Sequence, residues 1–347
     1  MKPLSGIRIV EFEGIGPGPL AGRMLADMGA EVTVVAHPSG NAVRSQLGGT
    51  RDDPMRRGKD VRTLDLKSAD GLQRARDLLA AADGLIEGNR PGVMEKLGLG
   101  PAHCATLNPR LVYGRMTGWG QDGPLAQAAG HDLNYVALTG LLSLSANRGG
   151  RPIVPPTGVG AAAGALGLAF GMACGLLAAR ASGRGSIVDG AIVDIVAMLG
   201  SIAQWIRGAG QLDSIEPSPF HDSPFYAVYP CADGRCITLG ALEPQFYALL
   251  LQKLDIRNVD PAAQYDRAGW PQLHARLAGL FASQPRSHWC ALLEGSDVCF
   301  APVLSMDEAT RHPHNVARGI FRVREDGAVE VAPAPRLSPL PGQELQP

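Results

Sequence analysis

The sequence predicts an α/β protein with a large Rossmann-like domain and a smaller α+β domain. Three observations carry this. Short apolar runs alternate with amphipathic helical stretches through the first 120 residues, as a parallel sheet requires. The run IRIVEF (7–12) passes through a glycine loop, GIGPGP (14–19), into a helix and a second apolar run. That is how a nucleotide-binding α/β unit opens. After residue 220 the pattern changes to a hairpin followed by helices.

The elements follow in order. Residues 7–12 read as a buried strand between Gly6 and Gly14. PLAGRMLADMGAEV (19–32) reads as a helix leading into the strand EVTVV (31–35), and TLDL (63–66) as a further short strand. KSADGLQRARDLLAAAD (67–83) has amphipathic helical spacing. GLIEGNR (84–90) and LVYGRMTGWG (111–120) are strands entering loops. The most apolar stretch, Ala161 to Ala181, is long enough to span a bilayer. Its Ala/Gly content and the polar SGRGS after it fit a buried helix of a soluble protein better. YAVYPCADGRCITLGAL (226–242) reads as a hairpin around an ADG turn, and EPQFYALLLQKLDI and WPQLHARLAGLFASQ as two helices. The Pro-rich tail from Ala332 reads as extended. The implied division is 1–200 with 312–347 as the large domain, 220–305 as the small one, and 201–219 and 306–311 as linkers.

Bulk properties narrow the function. At 347 residues and 45% hydrophobic content, the chain suits about two domains with cores that need no disulfide or metal. A net charge of −1 gives no electrostatic footprint for nucleic acid or an anionic membrane. None of the six cysteines forms a C-x-x-C pair or a Cys/His cluster, so reduced thiols and no metal site are expected. MKPLSGIRIVEF lacks the pattern of a secretory leader. A cytoplasmic location is the expectation.

Four segments carry candidate chemistry. GIGPGP is a poor dinucleotide fingerprint, because Pro17 and Pro19 remove N–H donors and the second strand ends at Ala36-His37 without an acidic residue. Its glycines still permit close approach of a ligand. Arg90, in EGNRPGV, stands on a loop where α/β domains bind ligands, and is either a phosphate contact or a solvated arginine. In GHDLNY (130–135), His131 enters an apolar run and is either a general acid/base facing a cleft or a helix-start histidine; Asp132 as the helix N-cap fits both. Glu243, in GALEPQFY, is a carboxylate at a strand end or simply a helix N-terminal charge.

These segments, taken together, resemble the family III CoA-transferases (CaiB/BaiF), and within them the α-methylacyl-CoA racemase branch. The resemblance runs nearly end to end. It rests on PLSGIRIVEFEGIGPGP, LDLKSADG, LIEGNRPGVMEKLGLGP, GRMTGWGQDGPLAQAAGHDLNY, SGRGSIVDGAIVD, GALEPQFYALL, YDRAGWPQL and APVL. AGHDLNY and LEPQFY favour the racemase branch. The resemblance implies an interlocked homodimer, a CoA thioester on the large domain and the acyl group near the subunit boundary. It implies no covalently bound cofactor, coenzyme A being part of the substrate. The implied reaction removes the α-proton of a 2-methylacyl-CoA on one face and returns one on the other, through an enolate. His131 is then one acid/base, and Glu243 a supporting carboxylate from the partner. The CoA-contacting set is Ile15, His37, Leu64, Leu66, Arg90, Gly130 and Tyr135.

The chain departs from that pattern at three positions. Ala161 falls where the second acid, an aspartate, is expected; in the register shifted by one it is Gly160, and no carboxylate lies nearby in the sequence. His37 replaces an arginine that contacts the CoA nucleotide, and Asn89 replaces an aromatic residue. Such a site belongs to a natural protein without the acid or to an active enzyme with alanine substituted. In the transferases the same aspartate is the covalent nucleophile, so its loss weighs more against a family III CoA-transferase than against proton exchange. A non-catalytic acyl-CoA-binding protein is the remaining alternative.

Overall fold

The computed structural model describes residues 2–40, 53–146, 150–156 and 158–341. The chain divides into two compact units, one drawn from 1–142, 154–200 and 332–347, the other from 143–153 and 201–331. The sequence division differs at 143–153 and at the linkers 201–219 and 306–311, which all group with the second unit, and so do residues 312–331. Side chains hold this last segment there: His312 Nε2 lies 2.7 Å from Glu294 Oε1, and Asn315 Nδ2 donates to Ala309 O at 2.9 Å.

The first unit is an α/β layer structure. In chain order it contains β1 (Arg8–Phe12), α1 (Pro17–Asp27), β2 (Glu31–Ala36), β3 (Lys59–Thr63), α2 (Ala69–Ala80), β4 (Gly84–Glu87), α3 (Val93–Lys96), α4 (Pro101–Leu107), β5 (Val112–Thr117), α5 (Asp132–Leu138), α6 (Val159–Ser182), β6 (Ser186–Ala191) and α7 (Ile192–Leu199). The six strands form one sheet in the order β3-β2-β1-β4-β5-β6, with every pairing parallel. The order reverses between β1 and β4. The crevice outside the carboxyl ends of those strands is where such sheets bind ligands.

TLDL is not a strand but the exit from one. The strand is KDVRT, which forms β3 at the sheet edge; there Asp60 and Arg62 face solvent and Lys59 turns inward, so no apolar alternation is visible. Asp65 Oδ1 then accepts from Lys67 N–H at 3.0 Å, and Ser68 caps α2 by accepting from Gly71 N–H at 3.0 Å. These turn bonds end the ladder after Thr63.

A buried ion pair ties this half of the sheet together. Lys59 Nζ, on β3, lies 2.6 Å from Glu11 Oε2 on β1 and 2.8 Å from Pro19 O at the start of α1. The two side chains are 0% and 3% exposed. Burial raises the Glu11 carboxyl to about 7 against the pull of Lys59, and burial lowers the Lys59 ammonium. Gly22 is required beside the pair, since a Cβ there would stand 1.8 Å from Glu11 Oε2.

α6 is the helix predicted from the Ala/Gly-rich stretch. Its glycines 164, 167, 171 and 175 recur every three or four residues and face one side. Added Cβ atoms there would lie 2.5–2.8 Å from Ile192, Ile195, Val188 and Val112. The bare backbone lets α6 settle onto β5, β6 and α7 at a distance no larger residue permits. The expected burial is one-sided. Leu166, Phe170 and Leu177, on the other side, are 51%, 71% and 72% exposed. By length and composition α6 is long and apolar enough to cross a membrane.

The second unit contains α8 (Ser201–Gly208), β7 (Tyr226–Pro230), β8 (Cys236–Gly240), α9 (Pro244–Lys253), α10 (Trp270–Phe281), α11 (Arg286–Leu293), β9 (Phe300–Pro302), β10 (Phe321–Val323) and β11 (Val329–Val331). β7 and β8 are the predicted antiparallel hairpin, and β9 adds a third strand. The core is aromatic: Phe225, Tyr229, Tyr247, Trp270, Phe281 and Trp289 are buried together.

Candidate functional site

A cleft of about 420 Å³ opens at the carboxyl ends of β1, β2, β3 and β4. It is lined by Phe12, Glu13, Val35, Ala36, His37, Gly40, Leu64, Leu66, Asn89 and Leu97. The topology explains its place: neighbouring strands on either side of the reversal send their loops in opposite directions and leave a gap. Three of the predicted ligand contacts, His37, Leu64 and Leu66, therefore meet in one cleft. Leu64 is only 3% exposed and its N–H is taken by Ala36 O.

Polar groups are fixed around this cleft. Glu13 Oε2 accepts from His37 N–H at 3.2 Å, and Glu13 Oε1 pairs with Arg56 Nη2. Asn89 N–H donates to Glu87 Oε2 at 2.7 Å. Glu87 is buried at 1% exposure and is held from the other side by Arg115 Nε at 3.1 Å. Arg115 in turn contacts Glu95 at 3.0 Å. Burial raises the Glu87 carboxyl, while the Asn89 N–H and Arg115 pull it down. This network fixes the loop that presents Arg90, which is exposed. Ile15 is 41% exposed on the β1–α1 loop and is not a lining residue of the cleft.

His131 is exposed at the head of α5. It is the N-cap residue, with extended backbone, and its N–H donates to Asn134 Oδ1 at 2.9 Å. Asp132 was expected to cap this helix. It is instead the first helical residue, and its carboxylate reaches another helix: Oδ1 accepts from Ala161 N–H at 2.5 Å. α6 needs that acceptor. Its own N-cap is Gly158, at φ 95°, which supplies no side chain. No carboxylate is close to position 161 in the sequence, but Asp132, 29 positions away, stands against it in the fold. The contact also separates the two registers. A Cβ at Gly160 would lie 3.1 Å from both Asp132 Oδ1 and Val136 Cγ2. Residue 160 is buried, whereas Ala161 is partly open.

Gly130 and Tyr135 were expected to contact the CoA moiety. Tyr135 is 9% exposed, its hydroxyl donates to Gly130 O, and its ring meets Trp119 edge-on at 4.7 Å. A Cβ at Gly130 would lie 2.8 Å from both rings. Both residues brace the turn that carries His131, which is a structural task.

Glu243 lies in the second unit, exposed, as the N-cap residue of α9. The neighbouring Tyr265 hydroxyl donates to Leu242 O at 2.6 Å and is raised by burial and by the Glu243 charge. Sequence reasoning missed Glu13, Arg56 and the long-range reach of Asp132. Glu13 follows IRIVEF directly and was legible as a strand-end carboxylate. Arg56 and the Asp132–Ala161 contact depend on chain segments that meet only in the fold.

The same architecture is found in known proteins. Residues 4–347 match CoA-transferase family III. The chain is 40% identical to the α-methylacyl-CoA racemase of Mus musculus, covering 97% of this chain and 86% of that protein. It is 38% identical to the human α-methylacyl-CoA racemase, over 96% of this chain and 86% of that one. The crystal structure of Rv3272 from M. tuberculosis superposes with a TM-score of 0.82 at 27% identity, covering 97% of this chain and 94% of that one. Rv3272 is named a probable fatty acyl-CoA transferase of Mycobacterium tuberculosis. This chain belongs to CoA-transferase family III, with the mixed α/β fold of its CaiB/BaiF members.

Proposed function

We propose that this chain is an isomerase-type member of the family that binds a 2-methylacyl-CoA and exchanges its α-proton through an enolate. One observation carries the reading. The Asp132–Ala161 hydrogen bond holds the turn bearing His131 against the head of α6, so the two distant segments expected to flank the α-carbon adjoin. The likeness to mouse and human α-methylacyl-CoA racemases supports the substrate class.

The chemistry follows from the thioester. Its carbonyl delocalises the carbanion left when the α-proton departs, so an imidazole suffices as base. The His131 ring takes the proton and returns one to the same face. Inversion needs a second group on the opposite face, and Ala161 supplies none. Loss of one positioned acid or base removes about 10² to 10⁴ in rate, so exchange outpaces inversion. The CoA moiety occupies the cleft lined by His37, Leu64, Leu66 and Asn89, with Arg90 beside it; apolar walls suit a base, and the Glu13-paired Arg56 brings a guanidinium near its phosphates. Glu243 acts from the partner of a homodimer. The exposed Leu166, Phe170 and Leu177 of α6 are an apolar surface that such an interface would cover.

The test is deuterium incorporation at Cα of 2-methylacyl-CoA in D₂O. The chain is expected to incorporate label, and His131→Ala to lose it by at least about 10²-fold. Equal incorporation by both proteins refutes the assignment of His131. The second reading, an acyl-CoA-binding protein without turnover, is favoured by Ala161 alone; tight binding with no exchange would select it.

The loop network gives a separate expectation. Glu87→Gln keeps a neutral acceptor for Asn89 N–H but removes one of the two carboxylates that pair with Arg115, leaving Glu95. CoA affinity should fall by about 2- to 10-fold, the range of one hydrogen bond worth about 0.5–1.5 kcal/mol. Calorimetry measures it, and an unchanged Kd would mean the loop holds its shape without the charge.

A further inference from the structure

We propose that Asp132 is a positioning residue for His131, acting as a strut between the heads of two helices. The inference rests on the reading of His131 as the proton-exchange group and adds a residue to it. Three observations lead there.

Asp132 follows His131 directly, so any constraint on its carboxylate is passed to the imidazole through one peptide unit. That carboxylate does not serve its own helix; it accepts from Ala161 N–H, across 29 positions of sequence. And α6, the longest helix of the first unit, has only a glycine at its cap. An ionised oxygen at a helix head meets unpaired N–H groups and the positive end of the helix dipole, so the contact is favourable and directional.

The surroundings are shaped to admit this one contact. Gly160 leaves room for the Asp132 carboxylate where any Cβ would crowd it at 3.1 Å. Val136, one helical turn along, is buried and fills the other side of the same gap. On the far flank, Tyr135 grips Gly130 through its hydroxyl and is itself braced by Trp119. The His131 turn is therefore held from both ends, by a charged bond to α6 and by an aromatic brace to the loop after β5. The imidazole remains exposed between them.

An acceptor at residue 132 is what the geometry requires, more than a negative charge as such. This separates a strut from an acid. Asparagine keeps an oxygen for Ala161 N–H but cannot exchange protons; alanine keeps neither. With 2-methylacyl-CoA in D₂O, Asp132→Ala is expected to lower exchange turnover by about 10- to 100-fold with KM within about twofold of the original. Asp132→Asn should retain turnover within about threefold, with an unaltered pH profile. Unchanged turnover in Asp132→Ala overturns the proposal. So does an Asn variant as impaired as the Ala variant, which would make Asp132 itself a proton-transfer group.

A second readout does not depend on turnover. The His131 ring resonance, assigned by its loss in His131→Ala, should shift or broaden in Asp132→Ala and stay in place in Asp132→Asn. An unmoved resonance in Asp132→Ala refutes the strut even if no chain exchanges protons. Absence of exchange in the unaltered chain, with the resonance shifted as expected, would instead refute the proton-exchange reading and leave the strut standing.

Discussion

Ala161→Asp should raise the rate of α-carbon inversion of 2-methylacyl-CoA by about 10² to 10⁴-fold over the unaltered chain, the usual worth of one positioned acid or base. The substitution falls at the second residue after Val159 begins α6, where the backbone is already held by Asp132. A carboxylate there shares its neighbourhood with the Asp132 carboxylate. Two carboxylates in one site cannot both ionise easily, so one of them is pushed up. That is the property a general acid near neutral pH needs. The measurement is the loss of optical activity of a single enantiomer, followed with and without the substitution. The paired control is Gly160→Asp, which has to displace Asp132 and Val136. It should gain nothing and lose stability. Equal inversion by Ala161→Asp and the unaltered chain would mean that position 161 does not face the α-carbon.

The second large effect concerns stability. Breaking the Glu11–Lys59 pair from either side should cost about 3–5 kcal/mol, because each partner leaves a buried charge behind. Replacing both, as Glu11→Leu with Lys59→Met, should recover most of the loss, since apolar residues of similar volume remove both desolvation penalties. Urea unfolding measures all three. The pH dependence has a definite sign in Lys59→Met. Burial already raises the Glu11 carboxyl to about 7 from 4.5, even with the ammonium present. A carboxyl raised in the folded state contributes stability below its unfolded pKa and loses it as pH rises through the folded value. Lys59→Met should therefore be more stable at pH 5 than at pH 8. The pair also bears on ligand binding, since β1 carries Glu13 and β2 carries His37 to the cleft. Single variants within about 1 kcal/mol of the original would show that the pair is not buried as described.

Much of this site was legible before the fold was known, and the reasons are local. IRIVEF, EVTVV and the loops after them obey short-range rules, so the parallel sheet and its ligand-binding edge could be read directly. The spacing of glycines 164, 167, 171 and 175 was visible as a small-residue stretch. Its meaning, a face pressed onto Ile192, Ile195, Val188 and Val112, needed the partners. β3 escaped notice because an edge strand with Lys59, Asp60 and Arg62 lacks the alternation of a half-buried one. Tyr135 was named a ligand contact only through the family resemblance. Its burial against Trp119 is set by a loop that sequence spacing does not place. Asp132 was the most misleading residue. Local rules made it the cap of its own helix, whereas the helix it serves begins 27 residues later.

The central claim is that His131 works from one face of the substrate without a partner acid at position 161. Incubating each pure enantiomer of a 2-methylacyl-CoA with the unaltered chain in D₂O, then measuring deuterium content and configuration together, tests it most directly. The expected result is deuterium at Cα with the starting configuration retained. Deuterium accompanied by full-speed inversion would contradict it, because a second proton-transfer group would then be acting on the opposite face.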